Sequence, residues 1–186
     1  MIKNGIGCIG FLMVSLLIVG TVQATESVYT IGAGDTLEIS VWRDDSLSRE
    51  VIVPPDEIIS FPLIGDVNVT GLTVSKLRLQ ITKKLNDYVP DATVTVIIKE
   101  FSSLRAFVIG KVNKPGMYPI TLDTSVMQIL SMAGGLNPYA SESNIHILRQ
   151  VKDVSVNIPF NYSEVLKGRN LEQNITLKRG DVVMVP

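Results

Sequence analysis

The segment TVSKLRLQITKKLNDYVPDATVTVII, residues 73–98, decides the fold class. Its first half repeats apolar side chains at three- and four-residue steps. Val74, Leu77, Ile81, Leu85 and Tyr88 then share one stripe of a helix about four turns long. Thr73 stands ahead of the stripe as an N-cap, and Pro90 stops the helix by removing a donor and clashing with the preceding turn. The second half, residues 93–98, is β-branched at every position, which stiffens χ1 and suits a pleated strand. A helix feeding a strand, among short alternating runs, predicts an α+β fold.

Upstream, Leu37, Ile39 and Val41 alternate with Glu38 and Ser40, the signature of a half-buried strand, and Gly32-Ala33-Gly34-Asp35 is the turn that enters it. Extended stretches follow at Val51 and Val53, at residues 58–63 and at residues 67–69, with Pro54-Pro55 and Gly65-Asp66 as breaks. These elements and the helix make a first unit, residues 25–102. Downstream, residues 107–109 and 118–122 read as strands joined across Lys114-Pro115-Gly116-Met117, where the proline and glycine predict a type II turn. Ser125 with Gln128 forms a capping box ahead of Val126, Ile129, Leu130 and Ala133, and Gly134-Gly135 supplies a left-handed stop. Residues 145–147 and 154–158 predict a strand pair, Asn161 with Glu164 a short capped helix, and residues 182–185 a final strand after Gly180-Asp181. This second unit spans residues 103–186. Gly-Asp recurs at 34–35, 65–66 and 180–181, and its plain reading is a good strand-entry turn.

The first 24 residues read as a targeting segment. Lys3 precedes an uncharged apolar run over residues 6–19, and Val22-Gln23-Ala24 matches a signal-peptidase site. The run is shorter than the ~20 apolar residues that span a bilayer, so a cleaved signal peptide is expected rather than an anchor. The lone Cys8 lies at the start of the apolar run, where lipidation has no place, and cleavage would leave a chain of about 160 residues without cysteine. With 17 basic and 18 acidic side chains the protein lacks the clustered positive charge that nucleic acid requires.

An ordered series of motifs carries a resemblance. Tyr29-Thr30-Ile31-Gly32-Ala33-Gly34-Asp35 running into Val41-Trp42, then Val53-Pro54-Pro55-Asp56, residues 59–67 and Gly71-Leu72-Thr73, resemble the polysaccharide biosynthesis/export domain. Residues 108–118, Ala133-Gly134-Gly135-Leu136 and the closing Gly180-Asp181-Val182-Val183-Met184-Val185-Pro186 resemble the SLBB, or soluble-ligand-binding β-grasp, domain that follows it in outer-membrane polysaccharide export proteins. One departure is Glu57, where the family has glycine; a wider loop is expected there.

The resemblance implies a periplasmic, outer-membrane-associated component of capsule or exopolysaccharide export. It would be a homo-oligomer whose ring encloses a passage, with polysaccharide, an inner-membrane polysaccharide co-polymerase and a separate outer-membrane channel as partners. The alternative it leaves open is a periplasmic sugar- or partner-binding adaptor that forms no channel.

Catalytic chemistry finds no constellation. Asp44 and Asp45 are neighbours in what reads as a polar loop and would not face each other across a scissile glycosidic bond. His146 is the only histidine, sits between two isoleucines, and is expected on the polar face of a strand without zinc partners. No enzyme activity, cofactor or metal is expected. Sugar rings offer both C–H and hydroxyl surfaces, so exposed aromatics beside planar polar groups are the candidate glycan or interface contacts: Trp42 with Arg43, and Tyr118, Asn137 and Tyr139.

Overall fold

The computed structural model describes residues 28–152 and 154–186. The expected signal peptide lies outside them. The fold is α+β, built from two packed clusters of apolar side chains rather than one.

The first cluster is enclosed by β1 (Thr36–Val41), β2 (Asp44–Ile52), β3 (Ile58–Phe61), β4 (Gly65–Asn68), α1 (Val74–Leu85) and β5 (Val94–Glu100). Strands β2, β1 and β5 form an antiparallel sheet in that order, and β3 and β4 form a separate hairpin. Alternation puts Leu37, Ile39 and Val41 inward with Val94 and Val96, while α1 lays Leu77, Ile81 and Leu85 over them. Each of those three helix side chains is fully buried, a contribution of roughly 1.5–3 kcal/mol apiece. Thr73 caps α1 by accepting from the Lys76 amide, as expected. The helix ends at Leu85, earlier than the stripe suggested, and Tyr88 lies beyond it with 61% of its surface exposed.

The second cluster belongs to a five-stranded sheet, β7-β6-β10-β8-β9. Its strands are β6 (Arg105–Gly110), β7 (Gly116–Pro119), β8 (Ile145–Val151), β9 (Val154–Phe160) and β10 (Val182–Val185). The last strand inserts between β6, to which it runs parallel, and β8, to which it runs antiparallel. One face is covered by α2 (Val126–Met132) and by α3 (Tyr162–Leu166), which is followed by a 3-10 turn at Leu171–Gln173. Ala106, Val108, Val183, Val185, Ile145 and Ile147 all point to this covered face. The capping box of α2 is complete, and Asn161 caps α3 through the Glu164 amide.

Two expectations are corrected. Gly116 does not take the left-handed conformation of a type II turn; it opens β7 opposite Val108, and the positive φ falls on Gly110 instead. A side chain at Gly110 would meet the Val185 carbonyl oxygen at 2.0 Å, so close pairing with β10 requires glycine there. Glu57 does adopt positive φ, 55°, and closes a tight turn by donating its amide to the Pro54 carbonyl at 2.9 Å. The loop is not widened, because the β3–β4 hairpin that follows fixes the backbone at that point.

Candidate functional site

Trp42 and Arg43 form the two-residue tip between β1 and β2, with Val41 paired to Asp44 across it. Arg43 has φ of 64°. The Trp42 amide donates to the Thr93 carbonyl at 2.9 Å, which holds the tip against the start of β5. The indole is 72% exposed and borders a shallow concavity of about 410 Å3 with Ser40, Asp45, Thr93 and Thr95. An exposed indole beside hydroxyls and a guanidinium has the chemistry to bind a sugar face.

In the second unit the candidates divide. Tyr118 packs against the second cluster and donates its hydroxyl to the Lys114 carbonyl at 2.5 Å, closing its own hairpin. The Asn137 carboxamide accepts from the Tyr139 amide at 2.9 Å, making a local turn. Only Tyr139 presents its ring to solvent, with 81% exposed. The tip carrying Trp42 and the loop carrying Tyr139 belong to different units, so the five candidates do not converge on one pocket.

His146 lies on the uncovered face of the second sheet, in a row with Met184 and Pro159. Around His146 that face is largely apolar, contrary to expectation, and it turns polar only toward Gln150, Ser155 and Asn157. Its ring Nδ1 is shielded from solvent without a hydrogen-bond partner among the described residues. Among the described residues no cluster of histidine, cysteine and carboxylate side chains is placed to hold a metal, and no helix is long and apolar enough to cross a membrane.

The arrangement that sequence inspection missed is the junction between the units. The Asp35 carboxylate is fully buried and accepts from the Gly32 amide at 2.9 Å, the Ser103 amide at 2.8 Å and the Tyr29 hydroxyl. Tyr29 also contacts Ser103 Oγ at 2.9 Å, and Phe101 meets its ring edge-on at 5.0 Å. From the second unit, Arg179 lies over the Tyr29 ring at 5.9 Å and donates to the Thr30 carbonyl at 2.7 Å. Gly32 leaves room for that guanidinium: a Cβ there would lie 1.7 Å from an Arg179 nitrogen. Burial, followed by the hydrogen bond to Asp35, pushes the Tyr29 hydroxyl up to about 12. A groove of about 500 Å3 opens beside this network, between Tyr29, Leu104, Leu122 and Lys178. The chemistry is that of a structural lock, a buried carboxylate satisfied by fixed donors.

The same series of motifs is found in known proteins. Residues 23–99 match the family described as polysaccharide biosynthesis/export protein, and residues 104–185 match the SLBB domain, in that order. The chain carries a polysaccharide biosynthesis/export domain followed by an SLBB domain. It is 28% identical to the EPS I polysaccharide export outer membrane protein EpsA of Ralstonia nicotianae, over 90% of this chain and 49% of that protein. It is 27% identical to the polysialic acid transport protein KpsD of Escherichia coli over 59% of this chain and 20% of that one. The capsule polysaccharide export outer membrane protein CtrA of Neisseria meningitidis serogroup A is 24% identical over 84% of this chain and 44% of its own length. The chain thus spans about half the length of the Ralstonia protein, and the similarity covers the export domain and one SLBB domain. Families of this kind are transport and export proteins rather than known enzymes.

Proposed function

We propose that this chain is a non-enzymatic periplasmic component of capsule or exopolysaccharide export, acting at the outer-membrane side of the envelope. Copies of it form or support a ring around a passage that polysaccharide crosses without covalent change. The observation that carries this reading is the order of the two matched domains along one chain, export domain then SLBB domain. The Asp35–Tyr29–Arg179 junction adds mechanical sense, because a wall segment must hold its two units at a fixed angle to repeat around an axis. In this reading residues 1–24 are a cleaved signal peptide, residues 25–102 the export domain and residues 103–186 the SLBB domain. An inner-membrane polysaccharide co-polymerase passes the polymer on, and a separate outer-membrane channel receives it.

Light scattering and intact mass on protein recovered from the envelope test the proposal. A leader-free chain in a closed multimer is the expected result; a leader-free monomer at every concentration contradicts it.

The exposed Trp42 tip favours a second reading, an adaptor that binds sugar without enclosing a passage. Trp42 is the only tryptophan, so intrinsic fluorescence reports on this site alone. A saturable spectral shift on adding exopolysaccharide fragments to a monomeric protein supports the adaptor. No shift, with a ring present, leaves Trp42 and Tyr139 as contacts between copies.

A further inference from the structure

Among the described residues the five-stranded sheet is covered on one face only. On the other, Met117, Phe107, Val182 and Leu148 stand side by side across four strands, and Ile109 and Met184 form the next row. Their partners in alternation fill the second cluster, while these six belong to neither cluster. Phe107, Ile109 and Met117 are 38%, 42% and 51% exposed. The four strands at ~4.8 Å and two rows at ~7 Å that carry these side chains give an apolar patch of roughly 20 by 14 Å, on the order of 300 Å2, which β9 borders with Asn157 and Ser155. That is the scale of the apolar centre of the about 800 Å2 that each partner contributes to a standard protein interface. Other large exposed apolar side chains lie elsewhere, among them Leu79 on α1, Tyr88 just beyond it, and Val151 paired with Val154 at the end of the β8–β9 hairpin.

The helical side of the same unit carries the counterpart. There α3 and the 3-10 turn pack together, and Leu166 and Leu171 stand 62% and 59% exposed beside each other's elements. Glu172 lies next to Leu171 in the turn, and Arg105 lies at the rim of the sheet face, contacting Met117 Sδ at 3.6 Å. Neither charge has an ion-pair partner among the described residues, whereas Lys167 and Arg169, which lie between the two leucines, both face Glu164, at 4.0 and 3.9 Å.

We infer that the bare sheet face of one copy receives the Leu166–Leu171 ridge of the next. The occupant is a second copy of this chain, because the chain itself displays both an apolar face and an apolar ridge, with opposite charges at their edges, on opposite sides of one unit. A contact between different surfaces on opposite sides is head-to-tail, the kind that closes into a ring when the rotation permits. A self-paired contact would use the sheet face twice and leave the ridge bare. This inference rests on the ring reading and gives that ring its contact surfaces.

Two variants of the full chain test it: Phe107→Glu with Ile109→Glu on the sheet face, and Leu166→Glu with Leu171→Glu on the ridge. The ridge positions are well exposed, so that variant folds even if the sheet variant does not. Each variant alone is expected to weaken assembly by about 30-fold or more in light scattering, the scale of losing a central contact. A mixture of the two is expected to form a one-to-one pair and stop, because one retains an intact ridge and the other an intact face. If both variants assemble like the parent, the inference is overturned and the ring reading stands. An unaffected ridge variant beside a monomeric sheet variant also overturns it, in favour of face-to-face pairing or another partner. A parent chain that is monomeric throughout removes the ring and this contact together.

Discussion

Two turns in this molecule have the same local design and opposite surroundings. In residues 32–35 the Asp35 amide donates to the Gly32 carbonyl at 3.1 Å, and the Gly32 amide donates back to the carboxylate. In residues 178–181 the Asp181 amide donates to the Lys178 carbonyl at 3.1 Å, and the Lys178 amide returns to its carboxylate at 2.7 Å. Both have glycine in the third position with φ of 90° and 80°, and both aspartates are fully buried. Each glycine amide and aspartate carbonyl also joins a neighbouring strand, through Val53 in one case and through Arg105 and Phe107 in the other. What differs is how the remaining lone pairs are met. Asp35 takes neutral donors and thereby ties the linker to Tyr29. Asp181 takes the Arg149 guanidinium in a fork, at 3.0 and 2.6 Å. The same turn serves as a joint between units in one place and as an internal ion pair in the other.

The largest effect expected from breaking this pair of turns is at Asp181. Asp181→Ala leaves a guanidinium that is only 13% exposed without its anion, so a loss of about 3–5 kcal/mol in denaturant unfolding is expected. Asp35→Ala leaves two buried amides without acceptors but no bare charge, and about 2–3 kcal/mol is expected. Because Asp35 lies at the joint, calorimetry of that variant is expected to resolve separate transitions for the two cores, which Asp181→Ala does not produce.

Tyr29 sharpens the comparison through pH. Its hydroxyl ionises at about 12 when folded, against 10.0 ordinarily, so the folded state holds the proton more tightly than the unfolded state. Its contribution is complete below pH 10.0 and is lost as pH rises through about 12. Tyr29→Phe is therefore expected to flatten the alkaline fall in stability between those values, measured by melting temperature against pH. The smallest effect is at the third Gly-Asp pair. Asp66 is exposed and holds only Ser60 Oγ at 2.7 Å, so Asp66→Ala is expected to change stability by less than about 0.5 kcal/mol.

This ordering shows where the sequence was legible. The strand-entry reading of Gly-Asp holds at all three positions in the positive φ of the glycine, and at Asp35 and Asp181 the carboxylate also accepts an amide three residues back; both are properties of a few consecutive residues. That two of the three carboxylates would be buried and one exposed is not local. Ser103 lies 68 residues from Asp35, and Arg149 lies 32 from Asp181, so no short window contains either partnership. The same limit applies to the candidate contacts. Trp42 and Tyr118 were candidates of the same kind by composition; pairing of Val41 with Asp44 leaves the indole exposed at a tip, whereas Tyr118 proved to be closing a hairpin.

The two sheets make the final division. In β1, Leu37, Ile39 and Val41 alternate with Glu38 and Ser40, and the sequence alone determined that the polar side faces out; Glu38 there pairs with Lys99 at 2.9 Å. In β6, Ala106 and Val108 alternate with Phe107 and Ile109, apolar on both sides, and periodicity cannot say which side is covered. Helix positions, caps, the strand pattern and the export-family motifs were fixed by neighbours along the chain. Tertiary structure alone decided that α2 and α3 cover the Ala106–Val108 side and leave the other bare, because burial depends on which distant elements arrive, not on the residue's own polarity.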